Sequence, residues 1–168
     1  MHRFILADAT KCIGCRTCEV ACAVSHQAQA DCAALSPGTF QARLQVEKTA
    51  HVSVPVMCRQ CEDAPCARVC PTGALARGAD YVTVTQAACI GCKTCMVVCP
   101  YGAIRIASGG ESQAHPQVLK CDLCQGRDAG PACVEACPTG ALRCVSGEAL
   151  EALTRQRRLQ AAASPLHL

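Results

Sequence analysis

Four tight groups of cysteines punctuate this chain, and any fold it adopts must bring them together. The first is Cys12-Ile-Gly-Cys15-Arg-Thr-Cys18-Glu-Val-Ala-Cys22, and the third is Cys89-Ile-Gly-Cys92-Lys-Thr-Cys95-Met-Val-Val-Cys99. Both have the spacing Cys-x2-Cys-x2-Cys-x3-Cys. The second group, Cys58, Cys61, Cys66 and Cys70, widens the middle gap to four residues, and the fourth, Cys121, Cys124, Cys133 and Cys137, widens it to eight. Three groups continue alike, as Pro-Thr-Gly-Ala-Leu at 71–75, Pro-Tyr-Gly-Ala-Ile at 100–104 and Pro-Thr-Gly-Ala-Leu at 138–142. A Cys-x3-Cys step sets two thiols one helical turn apart. The proline ends that turn, and the glycine permits a reversal at positive φ. A short apolar strand then begins, and Tyr81 to Thr85 alternates as a strand does. Each unit reads as strand, cysteine loop, short helix, strand.

Eighteen cysteines in 168 residues suit either a secreted disulfide scaffold or a metal protein. The start of the chain, with four apolar residues from Phe4 to Ala7 before Lys11 and Cys12, lacks the pattern of a secretory signal. No apolar run approaches a membrane span. The expected setting is therefore cytoplasmic, where thiols stay reduced and dense cysteine points to metal. Structural zinc takes two well-separated Cys-x2-Cys pairs, and only the fourth group could pass for that. Three cysteines at x2, x2 instead wrap three corners of one [4Fe–4S] cube, while the cysteine three residues on reaches the neighbouring cube. Sixteen cysteines thus predict four [4Fe–4S] clusters and electron transfer.

Composition fits this reading. The chain has only Phe4, Phe40, Tyr81 and Tyr101 as aromatics and no tryptophan, so large rings cannot fill its interior. Inorganic cubes would, and the fold should then depend on metal. The formal charge is +3, but four oxidised cubes at about −2 each, thiolates included, bring the loaded protein to about −5. The mild basicity compensates buried negative charge and is no nucleic-acid signal, and stacking aromatics are missing as well. No phosphate-binding loop, GxGxxG turn, zinc-protease motif or nucleophile elbow is present. With every ligand set complete, no iron is left open to a substrate, and no catalytic residues are expected.

The spacing also bears on pairing. The stretch from Cys70 to Cys89 is short and suits a compact two-cluster module, whereas the longer run from Cys22 to Cys58 fits poorly as the hairpin of one. A nested arrangement is favoured, with the outer groups paired around the inner ones. Cys12, Cys15, Cys18 and Cys137 would hold cluster 1, and Cys121, Cys124, Cys133 and Cys22 cluster 2. Cys58, Cys61, Cys66 and Cys99 would hold cluster 3, and Cys89, Cys92, Cys95 and Cys70 cluster 4.

The chain resembles the four-cluster ferredoxin-like subunits of molybdopterin oxidoreductases, such as the beta subunits of dimethyl sulfoxide reductase and formate dehydrogenase. Within that family it is most similar to the small formate-dehydrogenase-linked electron-transfer proteins of the formate hydrogenlyase system. The likeness rests on Arg3 to Asp8, Cys12 to Cys22, Cys58-Arg-Gln-Cys-Glu-Asp-Ala-Pro-Cys66, Cys89 to Cys95 and Lys120-Cys-Asp-Leu-Cys124. The resemblance implies nested ligation and an α+β fold of two nested bacterial-ferredoxin-like modules in a unit spanning 1–145. The inner module would cover about 53–106, and the outer about 1–30 with 117–145. It further implies an electron-transfer subunit with no catalytic site of its own, cytoplasmic or in a complex peripheral to the membrane. Its partners would be a molybdenum or tungsten formate dehydrogenase and a hydrogenase or another iron–sulfur or flavin subunit. The alternatives are a subunit serving a dimethyl sulfoxide, nitrate or thiosulfate reductase, and a carbon-monoxide-dehydrogenase-linked ferredoxin. A radical or hydratase enzyme would need a cube held by only three cysteines, and each group here has four.

Cys32 and Cys144 belong to no group and read as ordinary small residues, buried as free cysteine often is, in preference to a redox thiol pair. Arg16 and Lys93 share a slot in the first and third groups, as tuning charges or as solvated loop cations. His2, His26, His51, His115 and His167 show no ligand spacing and read as surface residues. The run from Ala23 to Val56 reads as a partner-facing flap, or as a connecting loop with one edge strand near Arg43 to Glu47. Ala107 to Pro116 reads as a mobile loop. From 146 to 168 the chain becomes a helical tail, with Ser146 capping a helix from Gly147 to about Ala163 that carries Arg155, Arg157 and Arg158 as a docking surface or as a solvated end.

Overall fold

The computed structural model describes residues 3–107 and 115–163. The fold is a mixture of short helices and strands. Among the described residues every strand pairs antiparallel with a single partner, giving four two-stranded sheets. The first strand, β1 (Arg3–Ala7), pairs with β8 (Leu142–Ser146), bringing Ile5 opposite Cys144 and joining the two ends of the cysteine-bearing region. Between them lie three local hairpins: β2 (Leu44–Lys48) with β3 (Ser53–Met57), β4 (Leu75–Arg77) with β5 (Val82–Val84), and β6 (Arg105–Ala107) with β7 (Gln117–Leu119).

One short helix follows the opening of each cysteine group. These are α1 (Thr17–Val24), α2 (Pro65–Arg68), α3 (Thr94–Val98) and α4 (Ala132–Glu135). Helix α1 packs against α4, and α2 against α3. Arg16 and Lys93 precede α1 and α3 at φ 63° and 62°, so both exposed side chains mark a left-handed entry into the helix. Two apolar cores result. One gathers Ile5, Leu44, Val46, Met57 and Leu142 around Cys18, Cys22, Cys58, Cys121 and Cys133. The other gathers Leu75, Val82, Ile104 and Val118 around Cys66 and Cys95. Eight cysteines are buried in all, while Phe40 and Tyr101 are exposed. Sulfur fills the positions that aromatic rings occupy in most domains.

The segment from Ala23 to Val56 contains more than the single edge strand read from the sequence. It forms the β2–β3 hairpin, preceded by a 3-10 turn at Cys32–Ala34. The buried carboxylate of Glu19 accepts the Val46 N–H at 2.5 Å and fastens the hairpin to α1. Cys32 and Cys144 are exposed, not buried as small core residues. Cys144 is exposed although the two-residue alternation of β8 sets it on the same side as the buried Leu142. The C-terminal helix α5 runs Gly147–Ala163, and the Ser146 hydroxyl accepts the Ala149 N–H at 3.2 Å. No residue of α5 is buried. Most of the loop expected at Ala107 to Pro116, residues 108–114, and His2 and His167 lie outside the described residues. No helix among the described residues is long and apolar enough to cross a membrane.

The reversals after the Cys-Pro steps use Gly73, Gly102 and Gly140 at φ 67°, 59° and 61°. Gly91, inside the third cysteine loop, is held at φ +71° with Pro116 against it, and a Cβ there would lie 2.8 Å from the proline Cγ. A Cβ on Gly73 would meet nothing within 4 Å. Gly73→Ala should therefore cost only the left-handed penalty, about 1–2 kcal/mol, and Gly91→Ala should cost that plus the clash with a stiff ring. Guanidinium unfolding of the iron-loaded proteins without air should rank Gly91→Ala clearly below Gly73→Ala, and equal midpoints would contradict the packing described.

Candidate iron–sulfur sites

The cysteines converge on clefts that each draw thiols from two groups. One cleft is lined by Cys12, Cys15, Cys18 and Cys137, a second by Cys58, Cys61, Cys66 and Cys99, and a third by Cys70, Cys89, Cys92 and Cys95. Their volumes are nearly equal, about 320, 310 and 320 Å³ with the open mouths included. Cys22, Cys121 and Cys133 meet in the first core. There the Ser25 hydroxyl stands 3.0 Å from the Cys22 carbonyl, as donor, and 3.8 Å from the Cys124 sulfur. In each of the three clefts the last cysteine of one group joins the first three of another.

The donor set and its spacing test what these sites can hold. Four thiolates on one zinc, each about 2.3 Å from the ion, would lie about 3.8 Å apart. Among the described residues no three cysteine sulfurs come within 4.8 Å of one another. The sets are too open for a single tetrahedral ion and suit a larger core bound at its corners.

The thiols fall into two electrostatic kinds. Burial pushes Cys18 and Cys66 up to about 11 and Cys121 to about 12, and it raises Cys58, Cys95 and Cys133 as well. Cys121, Cys22, Cys124 and Cys18 add to the rise at Cys133. Without iron these sulfurs are protonated, and loading must release their protons. Cys15 and Cys92 at the exposed rims are lowered instead, chiefly by the hydroxyls of Thr17 and Thr94, which donate to them at 3.3 and 3.5 Å. At Cys70 and Cys137 burial acts upward, but hydrogen bonds from Thr72, Thr139 and nearby backbone outweigh it. The hydroxyls of Thr72 and Thr139 lie 3.8 and 3.7 Å from those sulfurs. A Cys-x-Thr step therefore occurs twice in the set of Cys12 and twice in the set of Cys89, and in neither of the other two. The signal stood in the sequence and was missed.

Other contributors could not be read from spacing. His26 is largely buried rather than a surface residue. Its Nε2 lies 3.1 Å from Asp122 Oδ1 and its Nδ1 2.7 Å from the Cys22 carbonyl oxygen. Arg43 closes this triad with an ion pair to Asp122, and its backbone N–H donates to the Cys22 sulfur at 3.3 Å. Burial works against the His26 charge, but Asp122 and Cys22 outweigh it and hold its pKa up at about 10. Burial also acts upward on Asp122, yet His26 and Arg43 keep its carboxylate well below the usual range. The Gln60 and Ala103 N–H groups donate to the sulfurs of Cys58 and Cys99, each at 3.4 Å.

Comparison with known proteins agrees with this donor chemistry. The 4Fe-4S dicluster domain family matches residues 49–146, and the 4Fe-4S binding domain family matches residues 9–25, around the first cysteine group. Electron transport protein HydN of Escherichia coli (strain K12) is 53% identical, with 96% of this chain and 98% of HydN covered. Hydrogenase-4 component A of the same strain is 35% identical over 97% of this chain and 92% of its own length. Among solved structures, the active site complex BamBC of benzoyl coenzyme A reductase in complex with zinc aligns at a TM-score of 0.45 and 24% identity, covering 97% of this chain and 92% of that one. With the family match spanning more than half of the chain, and a relative more than half identical along nearly all of it, this protein belongs to the 4Fe-4S dicluster domain family and binds more than one [4Fe–4S] cluster.

Proposed function

We propose that the chain is a one-electron relay that holds four [4Fe–4S] clusters on the sixteen grouped cysteines in nested pairs, and that it has no catalytic site of its own. The observation that carries the electron-transfer role is the near-full-length identity to a protein named for electron transport. The nested ligation is supported by the clefts, in each of which a closing cysteine sits with three from another group. The pairing of β1 with β8 and the packing of α1 on α4 support an outer module wrapped around an inner one. The absence of catalysis is supported by the likeness to a relative named for electron transport.

The bound clusters supply the redox chemistry, each passing between states that differ by one electron. The protein's residues fix them, exclude water from the buried sulfurs and tune them through hydrogen bonds. The donor is proposed to be a molybdopterin formate dehydrogenase, and the acceptor a hydrogenase or another iron–sulfur or flavin subunit. The likeness to HydN and to Hydrogenase-4 component A supports a hydrogenase-linked system.

Formate with a molybdopterin formate dehydrogenase should bleach the visible absorption of the air-free protein within seconds, and omission of either should leave it unchanged. If that enzyme fails while carbon monoxide dehydrogenase or a different molybdoenzyme succeeds, the formate assignment falls and the electron-transfer role stands.

A further inference from the structure

Lys120 is the largest fully buried side chain among the described residues, with 1% of its surface exposed. A lysine so placed is costly unless its charge is met. No ion pair to a carboxylate is found for it among the described residues. Its Nζ instead donates to the Cys121 carbonyl at 2.7 Å, to Gln60 Oε1 at 3.4 Å and to the Cys58 sulfur at 3.9 Å. Those three acceptors use all three donors of an ammonium, whereas a neutral amine has only two hydrogens to give.

Gln60 is built around the same point. It is fully buried and takes φ 53°, which costs a non-glycine residue stability. Its Nε2 donates to the Cys121 carbonyl at 2.8 Å, and its Oε1 accepts the Val82 N–H at 3.0 Å as well as the Lys120 ammonium. Its backbone N–H donates to the Cys58 sulfur. Lys120 and Gln60 thus converge on Cys121, of the set with Cys22, Cys124 and Cys133, and on Cys58, of the set with Cys61, Cys66 and Cys99. The other two sets have threonine hydroxyls at exposed rims and no buried cation among the described residues.

We propose that Lys120, seated by Gln60, is a positioning residue whose fixed ammonium lies between the cluster of Cys58 and the cluster of Cys121, where it raises the reduction potential of the Cys58 cluster and forms the contact through which an electron crosses between the two modules. The proposal rests on the four-cluster reading above. Reduction adds one negative charge to a cube, and a nearby positive charge favours that form. The cube that gains the electron is reduced, the one that gives it is oxidised, and Lys120 keeps its protons.

The test is an anaerobic redox titration followed by electron paramagnetic resonance, with iron and sulfide measured on the same samples. Lys120→Met should keep the wild-type iron content and shift one cluster at least tenfold toward its oxidised form, about 59 mV to lower potential for one electron. The two rim clusters should not move, and Lys120→Arg should recover most of the shift. A fully loaded Lys120→Met with every potential unchanged overturns the proposal. If the variant does not accumulate, the wild type decides. Protein carrying 15N-labelled lysine should show a weak 15N coupling to one reduced cluster in pulsed paramagnetic resonance, and no coupling on any cluster overturns the proposal. A wild type lacking either middle cluster would sink the four-cluster reading and this proposal together, whereas full loading with unmoved potentials sinks this proposal alone.

Discussion

Removal of iron should unfold everything in this protein except part of the C-terminal helix. The four helices that carry grouped cysteines are four to eight residues long, far below the roughly 12–15 residues at which an isolated helix holds in water. Each sheet has two strands of three to five residues, and a lone hairpin of that size is marginal. Eight cysteines stand in the interior, so without metal the core has neither rings nor cubes to close around. In small zinc domains the metal supplies roughly 10–16 kcal/mol at neutral pH, and that energy is folding energy. Four clusters here should play the same part. Air-free protein should carry about sixteen iron and about sixteen sulfide. Chelation under reducing conditions should abolish the cooperative melting transition and most of the circular dichroism, leaving a weak helical signal from Gly147–Ala163. A folded, cooperatively melting iron-free chain would contradict this, and so would fully folded protein with about eight iron.

The part of this molecule that was legible in the sequence is the part governed by local chemistry. Each Cys-x3-Cys step here falls on a short helix, the Cys-Pro step stops it in three groups, and glycine takes the positive φ that follows, as Gly73, Gly102 and Gly140 do. The tail was legible for the same reason, because Ser146 caps α5 through a bond three residues long. What stayed hidden depends on chain segments far apart. Nothing near Lys120 says that it will be buried, since two of its three acceptors come from Gln60 and Cys58, some sixty positions away. His26 looked like one surface histidine among five until Asp122, 96 positions on, supplied its partner. The β2–β3 hairpin is hard to read because its inward face is only Leu44, Val46, Pro55 and Met57, and its anchor is the Glu19 carboxylate on another element. The burial expected of Cys32 and Cys144 rests on the general preference of free cysteine for interiors, which carries no information about the surroundings of a particular position.

Replacing Cys70 should damage a cluster that its own cysteine group does not hold. By sequence Cys70 closes the group of Cys58, Cys61 and Cys66, and a protein whose groups each bound their own cube would lose that cube. In the structure Cys70 lines the cleft of Cys89, Cys92 and Cys95, and Cys99 takes the corresponding place beside Cys58, Cys61 and Cys66. The exchange follows from α2 and α3 packing against each other, each directing its closing thiol toward the cleft of its neighbour. Cys70→Ser should therefore perturb the signal of the cluster at Cys89 and lower its iron, because a hydroxyl is a harder and weaker ligand for iron–sulfur cores than a thiolate. The cluster at Cys58 should keep its signal and potential. Cys99→Ser should give the mirror result, and Cys66→Ser, only four positions from Cys70, should strike the Cys58 cluster. Those three variants separate the schemes with no appeal to absolute potentials. If Cys66→Ser and Cys70→Ser alter the same cluster, each group binds its own cube and nested ligation is wrong. If they alter different ones, the chain has tied its second and third cysteine groups together by trading one thiol in each direction, and neither cube can be lost without loosening the segment that holds the other.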